Sequence, residues 1–177
     1  MMSVITNYRS NSHHNKGELL YKSIFRESML TEDVITEAFK HFITAGSSGH
    51  AVSQLRICQL YRMCCTDSVV CGVSKEDSIK WLNRSARAGN PDAQCLLGQL
   101  YMDGDIAVKN RYELAYELFD KSQTMKSFVC QGHMLYYGLN GNYCRQSAFE
   151  KYNIALQMGW KDKQGILEYM FNKDYVL

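Results

Sequence analysis

Apolar residues recur through most of this chain at helical spacing, and glycines interrupt them at nearly regular intervals. The stretch SARAGNPDAQCLLGQLYMDG, residues 85–104, shows the pattern at its densest. Within it Ala93, Leu97, Leu100 and Tyr101 stand at i, i+4, i+7 and i+8 on one face of a helix, and Gly98 removes a side chain where a neighbouring helix can approach. A second face follows in YELAYELFDKS, where Leu114, Ala115, Leu118, Phe119 and Ser122 share a side. Gly104 is placed to end the first of these helices and Gly89 the helix before it, with Val108 packing from the loop after Gly104. No segment alternates apolar and polar residues as a half-buried strand does, and Pro91 is the only proline, so helix is expected almost throughout.

Helices this short cannot bury their apolar faces singly, which points to stacked repeats. A shift of 40 toward the N-terminus lays Gly89, Gln94, Gln99, Leu100 and Tyr101 on Gly49, Gln54, Gln59, Leu60 and Tyr61. A shift of 37 the other way lays Ser85, Ala93, Gln94 and Leu97 on Ser122, Cys130, Gln131 and Met134. One of 70 lays Gly89, Leu97 and Tyr101 on Gly159, Leu167 and Phe171. The second helices repeat too: Ala38 with Phe42, Ser78 with Trp81 and Leu82, Ala115 with Leu118 and Phe119, Ala148 with Tyr152.

The segment SIKWLNRSARAGNPDAQCLLGQLYMDGDIAVKNRYELAYELF resembles the Sel-one-like repeat (SLR) family, a variant of the tetratricopeptide class. The residues that carry the resemblance are Ser78, Trp81, Ala86, Gly89, Ala93, Leu97, Gly98, Leu100, Tyr101, Gly104, Val108, Lys109, Ala115 and Phe119. Outward it thins. The preceding copy has Cys58 at the family glycine and a loop, RMCCTDSVVCG, longer by three residues, while the copy around Cys130 carries Lys126 where a glycine is usual. The resemblance implies an all-α fold, a right-handed α/α superhelix of about three SLR helix pairs with capping helices. Residues 1–15 read as a flexible polar tail, Gly17 to Met29 as a capping helix, and 16–177 as one solenoid domain with units at about 31–72, 75–108, 111–143 and 145–172. Thr31, followed by Glu32 and Asp33, is a candidate N-cap for the helix through Phe42.

Composition narrows the function classes. With 177 residues, 46% hydrophobic and 21% charged, the chain can bury a sizeable core. A net charge of +2, from 20 Lys and Arg against 18 Asp and Glu, supplies no field for phosphate backbones or anionic lipid, so no nucleic acid and no membrane is expected as partner. No window approaches the roughly 18 apolar residues of a membrane helix and none near the N-terminus suits a secretory signal, so the expected location is cytoplasmic. The seven cysteines lack metal-ligand spacing and read as small apolar residues in a reducing compartment. His13 and His14 fall in the expected tail, and His41, His50 and His133 are isolated in sequence, so neither metal nor cofactor is expected.

Catalytic motifs are missing as well. S-x-x-K with S-D-N, H-E-x-x-H and the phosphate-binding G-x-x-x-x-G-K-[ST] are absent, and Cys130 with His133 at i, i+3 lacks an orienting group. Cysteine-rich SLR relatives similar to β-lactamases join the helices of each unit with a cysteine pair, and Ala86 stands here where one of those cysteines would be. The resemblance therefore implies a non-catalytic interaction module, an adaptor, scaffold or regulator whose concave groove, lined by the first helix of each pair, takes a protein or peptide. By repeat register the groove residues are Arg56, Gln59 and Arg62, then Leu96, Gln99 and Asp103, then His133 and Tyr136, a set with the arginine and aromatic anchors common at interfaces. A dedicated inhibitor or immunity protein of a cognate toxin or effector is the alternative, and a hydrolase of the β-lactamase type a further one.

Overall fold

Side chains that replace missing backbone partners start four of the described helices. In the computed structural model, which describes residues 2–26, 31–64, 72–161 and 165, the helices are α1 (Met2–Arg26), α2 (Glu32–Ser47), α3 (Ala51–Cys64), α4 (Lys75–Arg87), α5 (Pro91–Asp103), α6 (Arg111–Ser122), α7 (Met125–Tyr137) and α8 (Arg145–Gln157). The described residues include no strand. Ser74 Oγ accepts the Asp77 N–H at 3.0 Å to start α4, Asn90 Oδ1 the Ala93 N–H at 2.9 Å to start α5, and Thr124 Oγ1 the Ser127 N–H at 3.2 Å to start α7. At the start of α3 the acceptor is an imidazole, His50 Nδ1, 3.2 Å from the Ser53 nitrogen. Thr31 has the extended backbone of an N-cap and is followed by Glu32 and Asp33, yet its side chain makes no capping bond.

Three of the second helices, α2, α4 and α8, end alike. Gly49, Gly89 and Gly159 take left-handed φ values of 89°, 83° and 93°. The next amides, of His50, Asn90 and Trp160, then donate back to the carbonyls of Ala45, Ser85 and Ala155 at 3.2, 3.2 and 2.9 Å.

Two compact units result, Met1–Ala93 and Gln94–Leu177. In the first, α1 packs on α2, α2 on α3 and α3 on α4, around Ile24, Ile35, Ala38, Phe39, Phe42, Ile57, Leu60, Tyr61 and Val73. In the second, Cys95, Ala115, Phe119, Cys130 and Met134 form one cluster and Leu135, Ala148 and Tyr152 another, the latter flanked by Trp160 stacked on Tyr152 at 5.7 Å.

One packing device recurs in both units. A β-carbon on Gly98 would lie 2.7 Å from the Phe119 ring, one on Gly132 2.7 Å from the Tyr152 ring, and one on Gly17 2.6 Å from the Phe42 ring. α1, α5 and α7 thus each offer a bare backbone on which a fully buried ring of the next helix lies flush. In α3 the corresponding residue is Cys58, and by register its opposite number in α4 is the smaller Leu82, so volume removed from one side is restored on the other.

Several expectations change. The third copy lies at a shift of 34 rather than 37, which superposes Gly98 on Gly132 and Gly104 on Gly138. Its glycine-like turn position is accordingly Gln123, held left-handed at φ 49°, while Lys126 is an exposed first-turn residue of α7. Val108 in its loop is 39% exposed. The segment 1–15, expected as a tail, is helical from Met2, and α1 runs unbroken to Arg26. Its inward face explains this: Ser10 donates to the Ala45 carbonyl at 3.3 Å, Gly17 meets Phe42, and Ile24 is buried, so a seven-residue spacing of small and apolar groups seats it on α2. Cys65, Cys71, most of the long loop RMCCTDSVVCG, the end of the expected cap at Met29, and the C-terminal copy with Leu167 and Phe171 lie outside the described residues.

Candidate interaction surface

In the first unit α3 carries three of the residues expected to meet a partner. Arg56 is already engaged. Its guanidinium donates from Nε and Nη2 to the two carboxylate oxygens of Glu18 on α1, from Nη1 to Gln59 Oε1 at 2.6 Å, and lies 4.8 Å over the Tyr21 ring. Glu18 and Arg56 are both more than two-thirds buried, which strengthens the pair against solvent screening. Gln59 is half-buried beside them. Arg62 is exposed in the last turn of α3, where its charge complements the helix dipole, next to Met63, which is 40% exposed and accepts from the Tyr21 hydroxyl at 3.4 Å. Burial raises the Tyr21 phenol above its ordinary value, so it stays a donor.

In the second unit Leu96 is half-buried and Asp103 exposed at the end of α5. Gln99 directs its amide to Cys130 Sγ at 3.8 Å. On α7, His133 meets the edge of Tyr152 at 5.6 Å between centroids, and Tyr136 meets Tyr137 edge-on at 5.0 Å. Tyr136 also packs beside the Leu135, Ala148 and Tyr152 cluster, leaving Tyr137 and Tyr143 as the open aromatics at 65% and 67% exposure. Sequence reasoning missed those two tyrosines and, in the first unit, Glu18 and Tyr21; the doublet Tyr136-Tyr137 was the available signal for the former.

The cysteine thiols differ with their surroundings. Burial pushes the Cys130 thiol up to about 12 and the Cys58 thiol up to about 11, which suppresses the thiolate. Cys144, the N-cap of α8, is the exception: the Ser147 hydroxyl and amide lower its thiol below the ordinary value. Among the described residues no group of three His, Cys, Asp or Glu side chains is placed to hold a metal ion. No helix in that set is long and apolar enough to cross a membrane.

No family model and no curated protein matches this sequence. Solved structures do match its fold. The crystal structure of a Sel1 repeat protein from Oxalobacter formigenes superposes with a TM-score of 0.61 at 21% identity, covering 77% of this chain and 39% of that one. The structure of c5321, a protective antigen present in uropathogenic Escherichia coli strains and displaying an SLR fold, superposes with a TM-score of 0.67 at 21% identity, covering 82% of this chain and 30% of that one. The fold is therefore that of the SLR proteins, helix pairs stacked as repeats, and the chain spans less than two-fifths of the length of either.

Proposed function

We propose that this protein is a non-catalytic interaction module that takes a peptide or a folded protein on the first helices of its repeats. What carries the reading is the division of labour along those helices. One face of α1, α5 and α7, marked by Gly17, Gly98 and Gly132, is consumed by rings of the following helix, while Arg62 on α3 and Asp103 on α5 stand exposed and Tyr136 on α7 is half-buried beside the cluster of Leu135, Ala148 and Tyr152. Arginine and tyrosine anchors ringed by half-buried neighbours such as Leu96, Gln99 and His133 suit recognition of a polar peptide or protein face. Arg56, also on α3, is occupied by α1, and Gln59 by Arg56. Suppressed thiols at Cys58 and Cys130 support the non-catalytic reading.

The test is capture of the partner from native lysate by the tagged chain and by its Arg62→Ala, Asp103→Ala, Tyr136→Ala variant, with identification by mass spectrometry. A stoichiometric partner lost from the variant supports the reading, and a partner retained equally by both refutes the surface. A toxin or effector as that partner would make the module an inhibitor rather than an adaptor.

A further inference from the structure

Four of the five histidines in the chain, far apart in sequence, meet where α1 crosses α2 and the start of α3. His13 of α1 and His41 of α2 face each other with their Nδ1 atoms 2.9 Å apart. One of those nitrogens must be a bare acceptor, and His41 Nε2, 3.4 Å from Glu37 Oε1, is placed to give its own proton to that carboxylate. His14 stacks on His50 with 4.2 Å between ring centroids. Its Nδ1 reaches Ser53 Oγ at 3.0 Å, and His50 Nδ1 reaches the same oxygen at 3.1 Å while accepting the Ser53 amide that starts α3. An imidazolium at 50 has no lone pair for that amide, and two imidazoliums at 14 and 50 would stack charge on charge.

We propose that this seam is a pH-operated latch: α1 is held against α2 and α3 while its imidazoles are uncharged and comes away as they take up protons below neutral pH. The surrounding charges set the balance. Facing the histidines are Lys16 and Glu18 from α1, Glu37 and Lys40 from α2, and Arg56 from α3. Glu18, shared with Arg56, offsets part of the new positive charge on His14 and His50, and Glu37 part of that on His41, but burial outweighs both. Burial first of all, then like charge from His50 on His14 and from His13 on His41, lowers His14 and His41 below the usual imidazole value of 6.5, and burial lowers His50 likewise. His14 on a free α1 binds a proton more readily than when docked, and so do His41 and His50 once α1 no longer covers them. Docking is therefore at full strength above about pH 6.5 and weakens as the pH falls below it. When α1 leaves, Glu18 and Tyr21 leave with it, and Arg56 and Gln59 turn to solvent.

The test is amide hydrogen exchange of the full chain at about pH 7.5 and about pH 5.5, read as protection factors so that the intrinsic pH dependence of exchange cancels. The expected result is a loss of protection of about tenfold or more in α1 between Ser10 and Ile24, with α4 changed little. A variant carrying His13→Gln, His14→Gln, His41→Gln and His50→Asn, the last supplying the acceptor that Asn90 supplies to α5, should keep α1 protected at both pH values. Equal protection of wild-type α1 at both pH values overturns the latch, and so does an equal loss in the variant. Should the variant be open already at the higher pH, the wild-type imidazole C–H resonances decide. They must titrate over the same interval in which α1 loses protection, and intervals that do not coincide overturn it.

Discussion

At the scale of single residues the tightest constraint is the ring of Phe119 lying on the backbone of Gly98. Gly98→Leu should cost about 1–3 kcal/mol, read from urea unfolding, because a packed ring cannot retreat. The natural pair Cys58 and Leu82 indicates how the strain is relieved. Gly98→Cys should therefore be less costly when combined with Phe119→Leu, with a coupling of about 0.5 kcal/mol or more in the double-mutant cycle. Gln123 presents the opposite case, a side chain where the backbone prefers none. At φ 49° it does what Gly89 does elsewhere, and Gln123→Gly should stabilise by about 0.5 kcal/mol, the relief of left-handed strain exceeding glycine's added unfolded entropy. Thiol chemistry separates the cysteines by environment. Among the described ones, alkylation of the native protein followed by peptide mapping should modify Cys144 first, and Cys58 and Cys130 only on unfolding.

At the scale of elements the departure is α1. Its docking face is made of Ser10, the two adjacent histidines, Gly17 and Ile24, too polar and too small to register as an apolar stripe, so hydrophobic periodicity reads the first half as tail. The central unit was legible because Leu97, Gly98, Leu100 and Tyr101 occur together with capping residues on both sides. The third unit was legible only in outline: Gln131 stands where Leu97 leads one to look for an aliphatic side chain, and Gln123 hides the turn that would have set the register. Because Arg56 ties α1 down through Glu18, Arg56→Ala leaves a largely buried carboxylate without its partner. That should cost about 1–3 kcal/mol in denaturant unfolding, with the exchange of α1 amides accelerated before those of α4.

At the scale of the molecule, architecture and use separate. The SLR helix pairs follow from residues that must be small or apolar, whereas the exposed Arg62 and Asp103 answer to no core requirement, and for that reason the sequence placed them only by register. Alanine at Arg62 and at Asp103 should change stability by no more than about 0.5 kcal/mol per site, whereas Tyr136→Ala, which strips packing from the Leu135, Ala148 and Tyr152 cluster, should cost about 1 kcal/mol or more; under the proposed function the three together abolish partner capture. The bare backbones under the rings have one more consequence, for the order in which the chain folds. Helices of about a dozen residues are marginal alone in water, and an interior glycine lowers that margin by about 1 kcal/mol. Alone, α5 and α7 would be mostly coil, and the rings of Phe119 and Tyr152 that would hold them helical lie only one helix further along. A chain emerging from the ribosome would then gain order pair by pair, each first helix waiting for its successor, through contacts local enough to form quickly.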